Sequence, residues 1–225
     1  MPDKGAGIMK RAKLLGQSFR GCVWLYFLPL IVVLGLTPIV SYFYISQYGV
    51  QNSLMAVTNF LQISIPVFSI CWQVAILREY IEGEGNEVLF VYQSMGKARL
   101  LDVVLVFLWY SAHIGINIAV LSRYTTFALL ETTLYRLLIQ TLLFTSMFYA
   151  FAYLIRSVGM AIMVVLGYYF MIAFYFQDNF FAYISVFQFP GDMAIPPLNT
   201  ADLIVAFAGI TFLIVGSLAG RQAMK

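Results

Sequence analysis

The sequence predicts an all-α integral membrane protein with six transmembrane helices. It also predicts an N-terminal interfacial helix and a short cytoplasmic helix between spans 2 and 3. Three observations carry this. Of the 225 residues, 62% are hydrophobic and 10% charged, against about 45–50% and 25% in soluble domains, which excludes a soluble globule. The apolar residues gather into six runs that approach the roughly 20 residues needed to cross a 30 Å hydrocarbon core. Lysine and arginine collect on alternate connections, as the positive-inside rule requires of a multi-pass chain.

Residues 1–20 place Ile8, Ala12, Leu15 and Phe19 on one helical face and Lys10, Lys13, Gln17 and Arg20 elsewhere. That pattern suits a helix lying in the membrane interface. The spans cover residues 21–45, 55–77, 100–121, 137–155, 158–176 and 203–220, with a tail at 221–225. The first run is longer than a signal-peptide core and lacks an Ala-x-Ala cleavage site, so it is expected to remain as an anchor. Between the spans lie a polar turn (46–53), a charged loop (78–99), a mixed loop (122–136), a minimal turn at Arg156 and Ser157, and an aromatic segment (177–202). Eleven basic residues share one side and only Arg123 and Arg136 fall on the other, so both termini are expected in the cytoplasm, with the chain in the cell membrane. The segment holding Phe180, Phe181, Tyr183, Phe187 and Phe189 ahead of Pro190-Gly191 is too short an apolar stretch to span and is expected at the outer interface.

Chemistry is sparse. A net charge of +3 spread along the chain gives no footprint for nucleic acid. His113 is the single histidine, and Cys22 and Cys71 both sit in apolar runs, so no His-Glu-x-x-His motif, Cys-x-x-Cys pair or metal-ligand set can be assembled. Gly96-Lys97 is followed by Ala98 and has Val91 where a P-loop needs its first glycine. No cofactor, metal or catalytic group is therefore expected in this chain, which is not read as an enzyme.

Polar residues within the spans are the next signal, since side chains facing lipid would find no partner. Thr58, Gln62, Ser69 and Gln73 form a stripe on the second span, with Gln62, Ser69 and Gln73 within about 40° of one another. The stripe suits a substrate path, and it equally suits interhelical hydrogen bonding. Asp102, Trp109, His113 and Asn117 share a face of the third span, but about 16 Å of helix rise separates Asp102 from His113, too far for direct proton exchange. A neutral histidine held by a neighbouring helix is the expected state. Gly216 and Gly220 allow close helix approach, within the chain or between copies.

The most distinctive stretch follows the second span: Arg78-Glu79-Tyr80-Ile81-Glu82-Gly83-Glu84-Gly85-Asn86-Glu87-Val88-Leu89-Phe90-Val91-Tyr92, continuing to Lys97-Ala98-Arg99. A glycine-relieved acidic turn leads into a short apolar piece that should lie along the cytoplasmic surface. Here the chain resembles the permease subunits of type 2 ATP-binding cassette exporters, whose second span ends in a pattern close to Glu-x-x-x-Gly-Thr-x-Glu-x-Leu-Leu followed by a basic residue. Glu79, Gly83, Glu87, Leu89 and Lys97 or Arg99 match its skeleton, while the family's Gly-Thr is here Gly83-Glu84-Gly85-Asn86.

The resemblance implies that Glu79, Glu82, Gly83, Glu87, Val88, Leu89, Phe90 and Val91 belong to a coupling helix. Such a helix docks on a separate ATPase subunit, which would bind the ATP and Mg. It implies a second permease, identical or paralogous, completing the pathway across the lipid bilayer. The expected function is export of a hydrophobic or amphipathic substrate: a peptide, an antibiotic or a lipid-like molecule. The rival reading is a non-transport membrane binding, assembly or immunity protein, or an ATP-independent secondary transporter.

Overall fold

The computed structural model describes residues 23–82, 95–125, 127–175, 187 and 198–222. The interfacial helix expected over 1–20 and most of the aromatic segment lie outside these residues. Every element among the described residues is helical: α1 (Val23–Leu30), a π-helical turn (Ile31–Leu36), α2 (Thr37–Ile81), α3 (Met95–Leu121), α4 (Phe127–Ile155), α5 (Val158–Tyr175) and α6 (Thr200–Gln222). Five stretches are long and apolar enough to cross a membrane: Val23–Val50, Asn52–Arg78, Arg99–Leu121, Leu130–Ile155 and Thr200–Gly220. A sixth, Val158–Phe174, is apolar but shorter. This is a multi-pass helical membrane protein.

The helix α2 is continuous only in its hydrogen bonding. Gly49 adopts φ 75° and ψ 163°, a conformation that a residue without Cβ takes readily and others resist. Trp72 Nε1 donates to the Tyr26 carbonyl at 2.9 Å although the two residues are 46 apart. A straight helix would separate them by about 69 Å, so the chain reverses at Gly49. The polar turn expected over 46–53 is thus a one-residue reversal, with helix on both sides. Ser53 Oγ covers the Gly49 carbonyl at 2.6 Å, and Asn52 Nδ2 donates to the Tyr48 carbonyl at 3.2 Å. These side chains add donors to the backbone oxygens on either side of the reversal.

The helices run past the limits drawn by hydropathy because charged and polar residues that end an apolar run need not end a helix. The largest case is α4. Its helix begins at Phe127, so Arg136 lies two and a half turns inside it rather than on the loop expected over 122–136. The second and fourth spans are the central ones, each 67% buried over its most apolar window, against 22% for the first and 17% for the last. Two apolar clusters flank them. Val33, Leu61, Ile65, Trp72, Tyr110 and Ile114 join the first three spans, and Leu77, Phe144, Phe148, Val165, Ile172 and Phe187 join α2, α4 and α5. Outward, α6 exposes Leu203, Ile204, Phe207, Ile210, Ile214 and Leu218. From Ile204 onward the three- and four-residue spacing makes one apolar stripe, which suits hydrocarbon as the solvent.

The second half of α2, α4 and α6 run in one direction, and the first span, α3 and α5 in the other. Gly209, Gly216 and Gly220 of α6 face Leu142, Tyr149 and Tyr153 of α4 in constant register. The glycine pair noted in the sequence therefore packs inside the chain.

Candidate functional site

All four residues of the second-span stripe are buried: Thr58, Gln62, Ser69 and Gln73 are each no more than 1% exposed. Their partners differ. Gln140 Nε2 of α4 donates to Gln62 Oε1 at 2.8 Å. Gln73 Nε2 donates to the Val103 carbonyl of α3 at 3.2 Å, and Ser69 Oγ donates to the Pro66 carbonyl in its own helix at 2.6 Å. Thr58 Oγ1 and Gln73 Oε1 have no hydrogen-bond partner. The stripe is therefore turned inward toward α3 and α4, which serves both readings that the sequence left open.

One turn beyond Gln140 the polar track continues, because α4 presents Thr133, Arg136 and Gln140 at i, i+3 and i+7. Arg136 is fully buried, and its Nε and Nη2 donate to Oδ1 and Oδ2 of Asp202 on α6 at 3.1 and 3.2 Å. Asp202 is held in turn by the start of its own helix. The Asn199 amide donates to Asp202 Oδ2 at 3.0 Å, and the Asp202 amide donates to Asn199 Oδ1 at 3.1 Å. This reciprocal box satisfies two otherwise orphaned donors of α6. The parallel register set by Gln62 and Gln140 brings Arg136 level with Thr58, so amide, hydroxyl and ion pair form one polar layer along α4, which packs on α2 and on α6. Sequence reading missed this layer: Arg136 looked like a loop cation, and only the i, i+3, i+7 spacing of Thr133, Arg136 and Gln140 hinted otherwise.

At the opposite end, where Arg78, Arg99 and Arg156 gather, Arg99 is buried between aromatic rings. Its guanidinium lies 5.5 Å from the centre of Tyr80 and 5.4 Å from that of Tyr153, an arrangement attractive through the ring quadrupoles. Tyr80 donates its hydroxyl to Asp102 Oδ2 at 3.3 Å. Burial, and then the Asp102 carboxylate, push the Tyr80 phenol up to about 12, so it remains a donor at any physiological pH.

Of the expected coupling residues, Gly83, Glu87, Val88, Leu89, Phe90 and Val91 lie outside the described residues, as does the side chain of Glu79. Glu82 is described. It ends α2, and its Oε1 accepts from the Val158 amide at 2.8 Å and faces Ser157 Oγ at 3.5 Å. A carboxylate at a helix N-terminus meets both unpaired amides and the positive end of the dipole. Arg156, with φ 56°, makes the turn that brings α5 to it.

The third-span face divides between two environments. Asp102 joins Tyr80, whereas His113 Nδ1 sits 2.8 Å from the Trp109 carbonyl and so carries a proton there. The His113 ring meets Trp72 and Trp109 edge-on at 5.4 and 5.0 Å. Asn117, also fully buried, reaches the first span: Nδ2 donates to the Val33 carbonyl and, at 2.6 Å, to Thr37 Oγ1. No group of three or more His, Cys, Asp or Glu that could hold a metal occurs among the described residues.

Comparison with models of protein families, with characterised proteins and with solved structures gives no match for this chain.

Proposed function

We propose that this chain is the permease subunit of an ATP-driven exporter. It moves a hydrophobic or amphipathic substrate, such as a peptide, an antibiotic or a lipid-like molecule, on energy supplied by a separate ATP-binding cassette subunit. The observation that carries this reading is the bond that the Val158 amide donates to Glu82. The chain leaving α2 toward residues 83–91 is fastened at its root to the first turn of α5, so a force applied to that loop is delivered to two helices at once. An element between spans that converts a partner's motion into helix motion needs such a fastening. ATP and Mg belong to the partner, since this sequence has no P-loop.

In this reading α5, whose 18 residues rise about 27 Å, completes six spans. The termini and the loop after α2 lie in the cytoplasm, and a second permease, identical or paralogous, supplies the other half of the pathway. Thr58, Gln62, Ser69 and Gln73 line the substrate path, which the Gln62–Gln140 bond closes in this conformation.

Affinity purification of the tagged chain from native membrane in mild detergent tests the reading, with an ATP-binding cassette ATPase expected to co-isolate. The double variant Leu89→Asp with Phe90→Asp is expected to stay monodisperse yet lose the ATPase and its transport-linked hydrolysis. Unchanged binding and hydrolysis in that variant would remove the assignment. Glu82→Ala should keep the ATPase bound while export per ATP hydrolysed falls severalfold. Replacing Gln62 and Gln140 together with Leu removes both members of their hydrogen bond at once, so assembly is expected to survive while export is lost. Loss of assembly instead would assign the pair to packing.

A second reading, an ATP-independent secondary transporter, is favoured by the Arg136–Asp202 pair, because ionisable groups inside a membrane bundle commonly serve ion or substrate movement. Transport that follows an imposed ion gradient, with no ATPase co-isolating, would select it.

A further inference from the structure

The middle of the first span is wound as a π-helix over Ile31–Leu36, and the sequence explains why. Pro38 has no amide hydrogen, and its ring crowds the carbonyl four residues back, so the turn ahead of it widens. Thr37 donates its amide to the Val32 carbonyl, five residues back. The Val33 carbonyl thus loses its ordinary donor, Thr37, and its π-helical donor would have been Pro38, which has none. Its acceptor capacity is taken up by side chains: Thr37 Oγ1 donates to it at 2.8 Å, and Asn117 Nδ2 of α3 donates to it as well.

More oxygen surrounds this turn than it uses. Asn117 Oδ1 and Ser41 Oγ have no hydrogen-bond partner, and both residues are fully buried. The antiparallel contact of Trp72 with Tyr26 brings Ser41 level with Val57 and Thr58. Tyr110 donates its hydroxyl to the Ile65 carbonyl at 2.6 Å, which sets α3 against α2 so that Asn117 is also level with Thr58. Thr58 Oγ1 is buried and without a partner too. Two independent registers therefore bring three unpartnered, fully buried oxygens to one level of the first three spans, and Asn117 reaches back from that level to the Val33 carbonyl, near the middle of the span Val23–Val50. Buried polar atoms are nearly always satisfied, and a concentration of exceptions marks a place where something else binds.

We propose that the first and third spans bind an alkali-metal cation on the Val33 carbonyl, Thr37 Oγ1 and Asn117 Oδ1, with the unpartnered Ser41 Oγ and Thr58 Oγ1 lying further along its path. Hard cations take oxygen ligands, and carbonyls released from regular helix at mid-membrane are well suited to replace a hydration shell. Asn117 makes the site workable with and without the ion. With Nδ2 toward the turn, the amide donates to Val33 and Thr37 and satisfies them. Turned over about its last torsion, the same carboxamide presents Oδ1 instead, and three acceptors then converge, an arrangement stable only with a cation among them. The charge must be single. Asp102, the carboxylate of α3, is fifteen residues and about 22 Å from Asn117, and Asp202, nearer in level, is already neutralised by Arg136, so a divalent ion would keep twice the uncompensated charge of a monovalent one in the bundle. The site is independent of how the protein is powered.

Thermal unfolding of the purified protein in detergent, at fixed ionic strength and chloride, tests this. The melting temperature is expected to rise by several degrees when N-methyl-D-glucamine is replaced by Na+ or K+, and to saturate. Asn117→Asp supplies a charged oxygen and should move the half-saturating ion concentration down at least tenfold. Thr37→Val, which keeps shape and removes one ligand, should move it up at least tenfold. An identical melting temperature in all three cations would overturn the proposal. So would an ion response that Thr37→Val and Asn117→Asp leave unchanged.

Discussion

Asp202→Ala is expected to destabilise this protein by about 3–5 kcal/mol, because it leaves the buried Arg136 guanidinium without its counter-charge. Arg136 has no exposed side-chain surface and Asp202 only 4%, and the two meet through paired bonds at 3.1 and 3.2 Å. Two parallel N–H···O bonds to an ionised carboxylate are among the stronger contacts available to a side chain. The same substitution removes the acceptor of the Asn199 amide at the start of α6, which adds about 1 kcal/mol.

The comparison that isolates the charge is Asp202→Asn, which keeps an acceptor for the cap but not the negative charge. It should fall between wild type and Asp202→Ala. Combining it with Arg136→Met removes both charges, and most of the lost stability should return, since breaking a buried pair costs far more than replacing it. Thermal unfolding in detergent, followed by helical circular dichroism, measures all four proteins. If Asp202→Ala melts as wild type does, Arg136 reaches water and the polar layer is open rather than sealed.

What the sequence disclosed and what it withheld follow from the range of the interactions. Helix and membrane were legible because they depend on residues within about twenty positions of one another, and the inward turn of Gln62, Ser69 and Gln73 followed from helical periodicity alone. The partner of each polar residue was not legible, because Gln140 stands 78 positions from Gln62 and Asp202 stands 66 from Arg136. Arg136 was misplaced for a definite reason: a buried arginine interrupts a hydropathy run as a loop arginine does, and only its partner distinguishes them. Gly49 was overlooked because polar neighbours on both sides resemble a loop, whereas their side chains hold two helix ends together. The π-turn could have been anticipated in part, since Pro38 within an apolar run must free a carbonyl. That Asn117 would reach that carbonyl could not. For Gly216 and Gly220 the sequence left two partners possible, and the rings of Tyr149 and Tyr153 decide in favour of the chain's own fourth span.

That seam gives the second large effect. A Cβ added at Gly216 would stand 2.5 Å from Tyr149 Cδ1 and 3.0 Å from the Ala150 Cα. Tyr149 and Ala150 are themselves buried. Neither ring nor backbone has room to retreat, so Gly216→Ala must part α6 from α4, and overpacking of this kind costs about 1–3 kcal/mol. The cost should be graded along the helix. At Gly209 the nearest atom to an added Cβ is Leu142 Cγ at 3.2 Å, the branch point of a flexible side chain, and at Gly220 it is Tyr153 Cδ1 at 3.5 Å, ordinary contact. Gly220→Ala is therefore expected to be neutral or stabilising by up to about 1 kcal/mol through helix propensity, with Gly209→Ala in between. Gly115, with open space around it, serves as the control on α3. The order of melting temperatures, Gly220→Ala above Gly209→Ala above Gly216→Ala, should hold over a hundredfold range of protein concentration, because the contact lies within one chain. A deficit in Gly216→Ala that grows on dilution would mean that the glycine seats a second copy instead.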